Sequence, residues 1–293
     1  MVAALAAEHA DLSRLLATLD EPGWDRPSRC DGWTVSDVVL HLAQTDELAI
    51  ASATGRFNEA LHELARGLGS ASSVDDGADL MVSRERGRPG PAVRDRWQAG
   101  ATALCEALSA CEPSQRVTWV AGELSARTLA TTRLAETWIH AGDVAAAFGQ
   151  TPEPTDRLWH IARLAWRTLP YAFARSGREL TGPVAFELRS PGGETWDFFP
   201  DTDPLSVIRG DGVELGLVAA RRVEPEPNVG GIGTPLRPFD PEVRRFLGAR
   251  SGMVARRGGA TATPGSTAAH RAGGHRRGRH RHAPRGGVFL HLE

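Results

Sequence analysis

Apolar residues recur at helical spacing through residues 3–20, at Leu5, Leu12, Leu15, Leu16 and Leu19, which predicts an amphipathic helix. The segment DEPGWDRPSRCDG that follows is rich in Pro, Gly and Asp and reads as a loop. A second helix opens with Thr34 as its N-cap and Asp37 three residues on, a variant of the capping box, and runs past Ile50. Residues 67–92 are polar and Gly-containing, with a short helix near 79–83. Residues 93–111 predict another helix around Trp97, Ala101, Leu104 and Leu108, which EPSQRVTWVAGEL breaks. Ser125 caps the next helix, which ends near Gly149; TPEPTD punctuates the chain and 156–175 predict a further helix.

The texture changes after Gly182. PVAFELRS, ETWDFFP and LSVIRG predict short strands bounded by turns such as PGG, and GVELGLVAARRV predicts a helix. The pattern is therefore mainly α. A helical domain over 1–150 precedes a linker helix and small α/β domain over 151–248, and no internal repeat is visible. Residues 249–293 consist mostly of Arg, Gly, Ala, His, Thr and Pro. Such a segment cannot bury enough surface to offset its ordering entropy and is expected to be disordered.

At 293 residues the chain can build a substantial core. No apolar run approaches the roughly 18 residues that span a bilayer, and the N-terminal segment, with Glu8 and Asp11 inside its apolar pattern, does not read as a signal peptide. Cys30, Cys105 and Cys111 form no CxxC pair, which fits reduced thiols in a cytoplasmic protein. The formal net charge of −2 conceals an asymmetry: residues 1–249 carry −10 and the remainder +8, every basic residue being Arg. The nine Arg of that tail would give non-specific, salt-sensitive nucleic-acid binding. No aromatic residues are interleaved for base stacking, so specific nucleic-acid binding is not expected. The tail histidines His270, His275, His280, His282 and His291 lack the fixed spacing of a zinc motif.

The candidate chemistry lies in the helices. Glu136 and His140 stand four apart in RLAETWIHAGDV, side by side on one helical face. His41 lies in WTVSDVVLHLAQTDELA on an apolar face with Val38 and Leu42. If the two helices face each other, three ligands converge for Zn²⁺ or another borderline divalent ion, with coordination positions left open as in catalytic sites. The competing reading is a satisfied histidine and a Glu136–Arg133 salt bridge. Asp143, on the same stripe as His140, either orients the imidazole from behind or is a solvated helix residue. Asp37, one turn before His41, has the same two readings, weighted toward capping. Cys30 reads first as a small packing residue, although its loop leads into the His41 helix. Trp24, Trp33 and Trp97 read as packing residues, and His9 and His160 have no partner pattern.

WDRPSRCDGWTVSDVVLHLAQTDELA and SARTLATTRLAETWIHAGDVAAAFG resemble the two signatures of DinB-like four-helix bundle proteins. Together they resemble the mycothiol-dependent maleylpyruvate isomerase family, and within it an actinobacterial branch of uncharacterised metal-binding proteins. The likeness spans roughly residues 1–222. It implies a DinB-like bundle followed by a small sterol-carrier-like domain, with one zinc bound by the residues that match His41, Glu136 and His140. It implies a small-molecule thiol, mycothiol, as cosubstrate, and a small electrophilic or unsaturated acid as substrate. The chain is then a thiol-dependent isomerase or transferase, as a monomer or homodimer. Arg222 stands about where such proteins carry an arginine that serves activity, with Arg221 an equal candidate and a solvated helix-end arginine the alternative. A non-catalytic metal-binding sensor or scaffold is the other functional reading. After Val223 the chain departs from the family pattern, which fits either a frameshift in a GC-rich gene or a genuine basic tail. In the first case the small domain is incomplete.

Overall fold

The computed structural model describes residues 1–120 and 122–223. The Arg/His-rich tail and the last part of the expected small domain lie outside the described residues. In chain order the elements are α1 (Val2–Leu16), α2 (Glu21–Trp24), α3 (Val35–Ala53), α4 (Phe57–Ala65), α5 (Val74–Glu85) and α6 (Gly90–Ala110). There follow β1 (Arg116–Trp119), β2 (Gly122–Ser125), α7 (Ala126–Ala146), α8 (Leu158–Arg175), β3 (Val184–Arg189), β4 (Thr195–Phe198), β5 (Ser206–Asp211) and α9 (Gly212–Ala219).

Helices α1, α3, α6 and α7 form the four-helix bundle, α3 packing on α6 and α7, and α1 on the same two. The ends of α3 and α7 are set as their sequences predict. Thr34 and Asp37 form a reciprocal capping box at the start of α3, and Ser125 accepts from the Thr128 N–H at the start of α7. Both helices are buried on more than one face, and α7 carries Arg133, Glu136, His140 and Asp143 into the interior. Charges placed there require partners, because an isolated buried charge is costly.

Four local features differ from the sequence expectation. The Pro/Gly/Asp-rich loop contains α2, with Asp20 accepting from the Gly23 N–H. The helix near 79–83 is longer, opening at a Ser73 cap. An additional helix, α4, buries Phe57 and partly buries Leu61 and Leu64, a helical spacing inside a segment that is otherwise polar. The segment that breaks the third bundle helix is an antiparallel hairpin, β1 with β2, whose Val117 and Trp119 turn inward. Strands of four residues carry too little alternation to stand out in a sequence.

The second unit is a three-stranded sheet in the order β4-β3-β5. Strand β4 runs antiparallel to β3, with Phe186 opposite Phe198; β5 runs parallel to it, with Val184 opposite Ser206. Its apolar face packs on α8, where Trp166 donates from Nε1 to the Val184 carbonyl at 2.7 Å. One hydrophobic cluster runs from Leu129 and Leu134 of α7 through Leu158, Ile161 and Phe173 of α8 to Phe186 and Phe198. Helix α9 comes close to α7 because Gly216 has no side chain: a Cβ there would meet the Trp138 ring at 3.0 Å. No helix among the described residues is long and apolar enough to cross a membrane.

A second close approach provides a test. Gly90, the first residue of α6, lies against Trp24, and a Cβ would stand 2.1 Å from Trp24 Cγ. Gly90→Ala must displace a buried indole and is expected to cost about 1–3 kcal/mol. Urea unfolding should show a lower midpoint at unchanged slope; an unchanged midpoint would refute the contact.

Candidate metal centre

Helices α3 and α7 bring His41, Glu136 and His140 together, with one donor atom from each inside a sphere where all lie within 4.8 Å of one another. Glu136 Oε2 stands 3.5 Å from His140 Nε2 and 3.9 Å from His41 Nε2. The two imidazole rings meet edge to face, 5.1 Å between centroids. All three residues are buried, Glu136 at 2% exposure. Neither carboxylate oxygen of Glu136, nor Nε2 of His140, has a hydrogen-bond partner among the described residues. An unpartnered buried carboxylate between two imidazole nitrogens, one of them also unpartnered, is what a divalent ion with N, N and O ligands requires. Ligand bonds of about 2.0–2.2 Å put neighbouring donors roughly 3–4 Å apart, and the observed separations fit.

The back of His140 is held as metal-bound imidazoles usually are. Its Nδ1 lies 3.0 Å from Asp143 Oδ2, so Nε2 faces Glu136. Asp143 is itself held by Arg222, whose Nε and Nη2 donate to Oδ1 at 2.7 Å and Oδ2 at 2.6 Å. Arg222 follows α9. The chain is turned into the bundle by Arg221, at φ 55° the one left-handed non-glycine residue among those described. Glycine is the usual residue at such a helix end; an L-residue there costs about 1 kcal/mol. Arg29 donates to the Arg222 carbonyl, and the Arg29 N–H donates to the Asp143 carbonyl at 3.3 Å. The loop before α3 therefore closes over the same point.

Cys30 belongs to this cluster. Its Sγ lies 3.2 Å from Asp143 Oδ2 and 3.8 Å from His140 Nδ1, with Arg222 Nη2 at 4.0 Å. The sequence signal for this was only its place in the loop leading to α3. Trp33 forms another wall, its ring centroid 5.2 Å from that of His41, and donates from Nε1 to Asp79 at 3.0 Å. Asp37 goes elsewhere: Oδ2 accepts from the Thr34 N–H and Oδ1 from Arg86 Nε, both at 3.0 Å. It caps α3 and makes no hydrogen bond to His41 among the described residues. Arg133 bonds Asp46 at 3.0 Å and Thr45 at 2.8 Å, and the salt bridge to Glu136 considered from the sequence does not form. Nothing in the sequence signalled Arg29 or Asp46.

Electrostatics follow from these distances. Burial pushes the Glu136 carboxyl up, but the facing imidazoles and the Arg133 charge outweigh it and hold it below the usual carboxylate range. Burial likewise opposes ionisation of Asp143, and His140 and Arg222 reverse it. His140 is drawn well above its ordinary value: burial alone would lower it, and Asp143, Cys30 and Glu136 prevail. Burial dominates at His41, which is pushed down and stays neutral, and at Cys30, whose thiol is pushed up.

With this geometry the comparisons with known proteins can be placed. The family model described as the mycothiol maleylpyruvate isomerase N-terminal domain matches residues 5–145. An uncharacterised protein of Mycobacterium tuberculosis, found in strains H37Rv and CDC 1551, is 34% identical over 236 residues, covering 79% of this chain and 89% of its own. The chain belongs to the mycothiol maleylpyruvate isomerase family. The crystal structure of the mycothiol-dependent maleylpyruvate isomerase has the same fold. It covers 76% of this chain and 88% of its own at 21% identity, with a TM-score of 0.50. The matched residues 5–145 contain every side chain of the centre that the bundle supplies. In this family member Arg222 arrives from outside that domain.

The Arg222–Asp143 pair yields a stability prediction. Arg222→Ala takes two charge-assisted hydrogen bonds from a buried carboxylate, leaving it His140 as its ion-pair partner, and is expected to cost about 3 kcal/mol at neutral pH. The folded-state pKa of Asp143 is depressed, so its contribution is present above the unfolded value and lost as pH falls toward the lower folded one. The gap between wild type and variant should thus narrow below about pH 4. Urea unfolding from pH 7 to 3 measures it; a gap constant over that range would refute the pairing.

Proposed function

We propose that this protein is a metal-dependent enzyme that uses a small-molecule thiol, mycothiol by family, as an isomerase or S-transferase acting on a small electrophilic or unsaturated acid. The observation that carries the reading is the convergence of a buried glutamate and two imidazoles, with no hydrogen-bond partner for Glu136 or for His140 Nε2 among the described residues. His41, Glu136 and His140 would hold Zn²⁺ or another borderline divalent ion. Such an ion lowers the pKa of a coordinated thiol or water and makes a nucleophile available at neutral pH.

The chain's own residues perform the rest. Asp143 fixes His140 by its Nδ1 and keeps Nε2 directed at the centre. Trp33 covers the His41 side and the loop carrying Cys30 covers the back of His140, and together they exclude water. Arg222, held by Asp143, places a cation beside the centre that suits a substrate carboxylate. Adding a thiolate to a double bond lets the adduct rotate about what becomes a single bond, and eliminating the thiolate gives the other isomer with no net change in atoms. Transfer to an electrophile stops after the addition.

Metal analysis of the full-length protein should give about one His140-dependent divalent ion per chain. It should be lost in both His41→Ala and His140→Ala, with ions on the tail histidines cancelling in the difference. Asp143→Asn should weaken metal binding by about 10–100-fold. Cobalt-loaded protein should change its visible spectrum on adding mycothiol, and maleylpyruvate with mycothiol is the first substrate pair to assay. Equal metal in wild type and both alanine variants would dismiss the centre. Metal without thiol binding would favour a non-catalytic sensor or scaffold.

A further inference from the structure

One turn below the centre a second charged pair is wholly buried. Arg133 on α7 and Asp46 on α3 are both at 0% exposure, joined Nε to Oδ1 at 3.0 Å. Arg133 Nη2 also donates to Thr45 Oγ1 at 2.8 Å, and that hydroxyl donates to the His41 carbonyl at 2.8 Å. The Arg133 carbonyl in turn accepts from Thr137 Oγ1 at 2.9 Å. The guanidinium therefore links the backbones that carry His41 and Glu136. Stability is a poor reason to keep such a pair, because well-packed apolar replacements of buried ion pairs are often neutral or stabilising.

We propose that Asp46 is a positioning residue of the metal centre: by cancelling the charge of Arg133 beneath Glu136, it sets how tightly His41, Glu136 and His140 hold a divalent ion. This rests on the metal reading above. The geometry assigns unequal roles to the two partners. A guanidinium keeps its charge in every environment, whereas a carboxyl can take a proton. Left alone, Arg133 is an uncancelled cation in a low-dielectric interior, opposed to a dication one turn away. His9 and Cys105 also face this pair; burial pushes the His9 imidazole down and the Cys105 thiol up, so neither adds charge.

The test compares full-length wild type, Asp46→Asn, Arg133→Met and the double variant. Zn²⁺ affinity is read by competition with a chromophoric chelator, His140→Ala gives the tail background, and thermal unfolding is followed in parallel. Asp46→Asn is expected to weaken the His140-dependent site by about tenfold. Arg133→Met should stay within about threefold of wild type while losing thermal stability, and the double variant should recover to within about threefold. If Asp46→Asn does not fold, Asp46→Ser removes the same charge with less bulk and takes its place. A merely structural pair would lower the melting temperature with no change in affinity, or would weaken both single variants alike with no recovery in the double; either result overturns the proposal. A wild type with no His140-dependent zinc overturns it together with the metal reading. Zinc in the wild type with the wrong pattern of variants overturns the proposal alone.

Discussion

A carboxylate buried without a hydrogen-bond donor on either oxygen is the constraint around which this molecule is arranged. Among the described residues Glu136 is such a group. Ionised in an apolar interior it requires positive charge close by, and three residues answer: His140 one turn on, Arg133 one turn back, and Arg222 from beyond the bundle, with the neutral His41 imidazole facing it across the helix interface. The bundle core cannot be apolar around α7, because the charges that answer Glu136 need partners of their own. Asp143 serves His140 and Arg222, and Asp46 serves Arg133.

This chain of charges explains how the two structural units are joined. A continuous hydrophobic cluster seats the small sheet on the bundle through α8, and Gly216 lets α9 lie close against Trp138. Apolar contact alone would tolerate a slide of α9 along α7. The two hydrogen bonds from Arg222 to Asp143 do not, since both oxygens and both donors are fixed in direction. A left-handed Arg221 delivers Arg222 to that position, and the local strain is small beside the cost of leaving Asp143 unpaired. Arg29 and Cys30 bring the loop before α3 to the same place, so three separate stretches of chain meet behind His140. Membership of the mycothiol maleylpyruvate isomerase family places the chain among proteins with this bundle, while the chemistry depends on how these side chains are held.

Much of the helical frame was legible because its signals are local. The caps at Thr34 and Ser125 and the apolar stripes around Trp97 and along 156–175 locate long elements by spacing alone. The hairpin and α2 were not legible, because elements of four residues are held by what they pack on. Helix α4 was hidden for a similar reason. Its stripe is narrow and lies between polar runs.

At the centre, the sequence by itself determined that Glu136 and His140 share a helical face, since a spacing of four residues fixes that wherever the helix lies. It also placed His41 on a helix, with Asp37 at its cap. Tertiary structure alone decided that α3 and α7 face each other, and that Arg133 turns to Asp46 and makes no salt bridge to Glu136. It likewise decided that Asp143 holds His140 and Arg222 at once, and that Cys30 lies inside the cluster. The physical reason is one of range. Helical periodicity relates residues within a few positions of one another, whereas the partner of a buried charge is chosen by whatever the fold brings within about 3 Å.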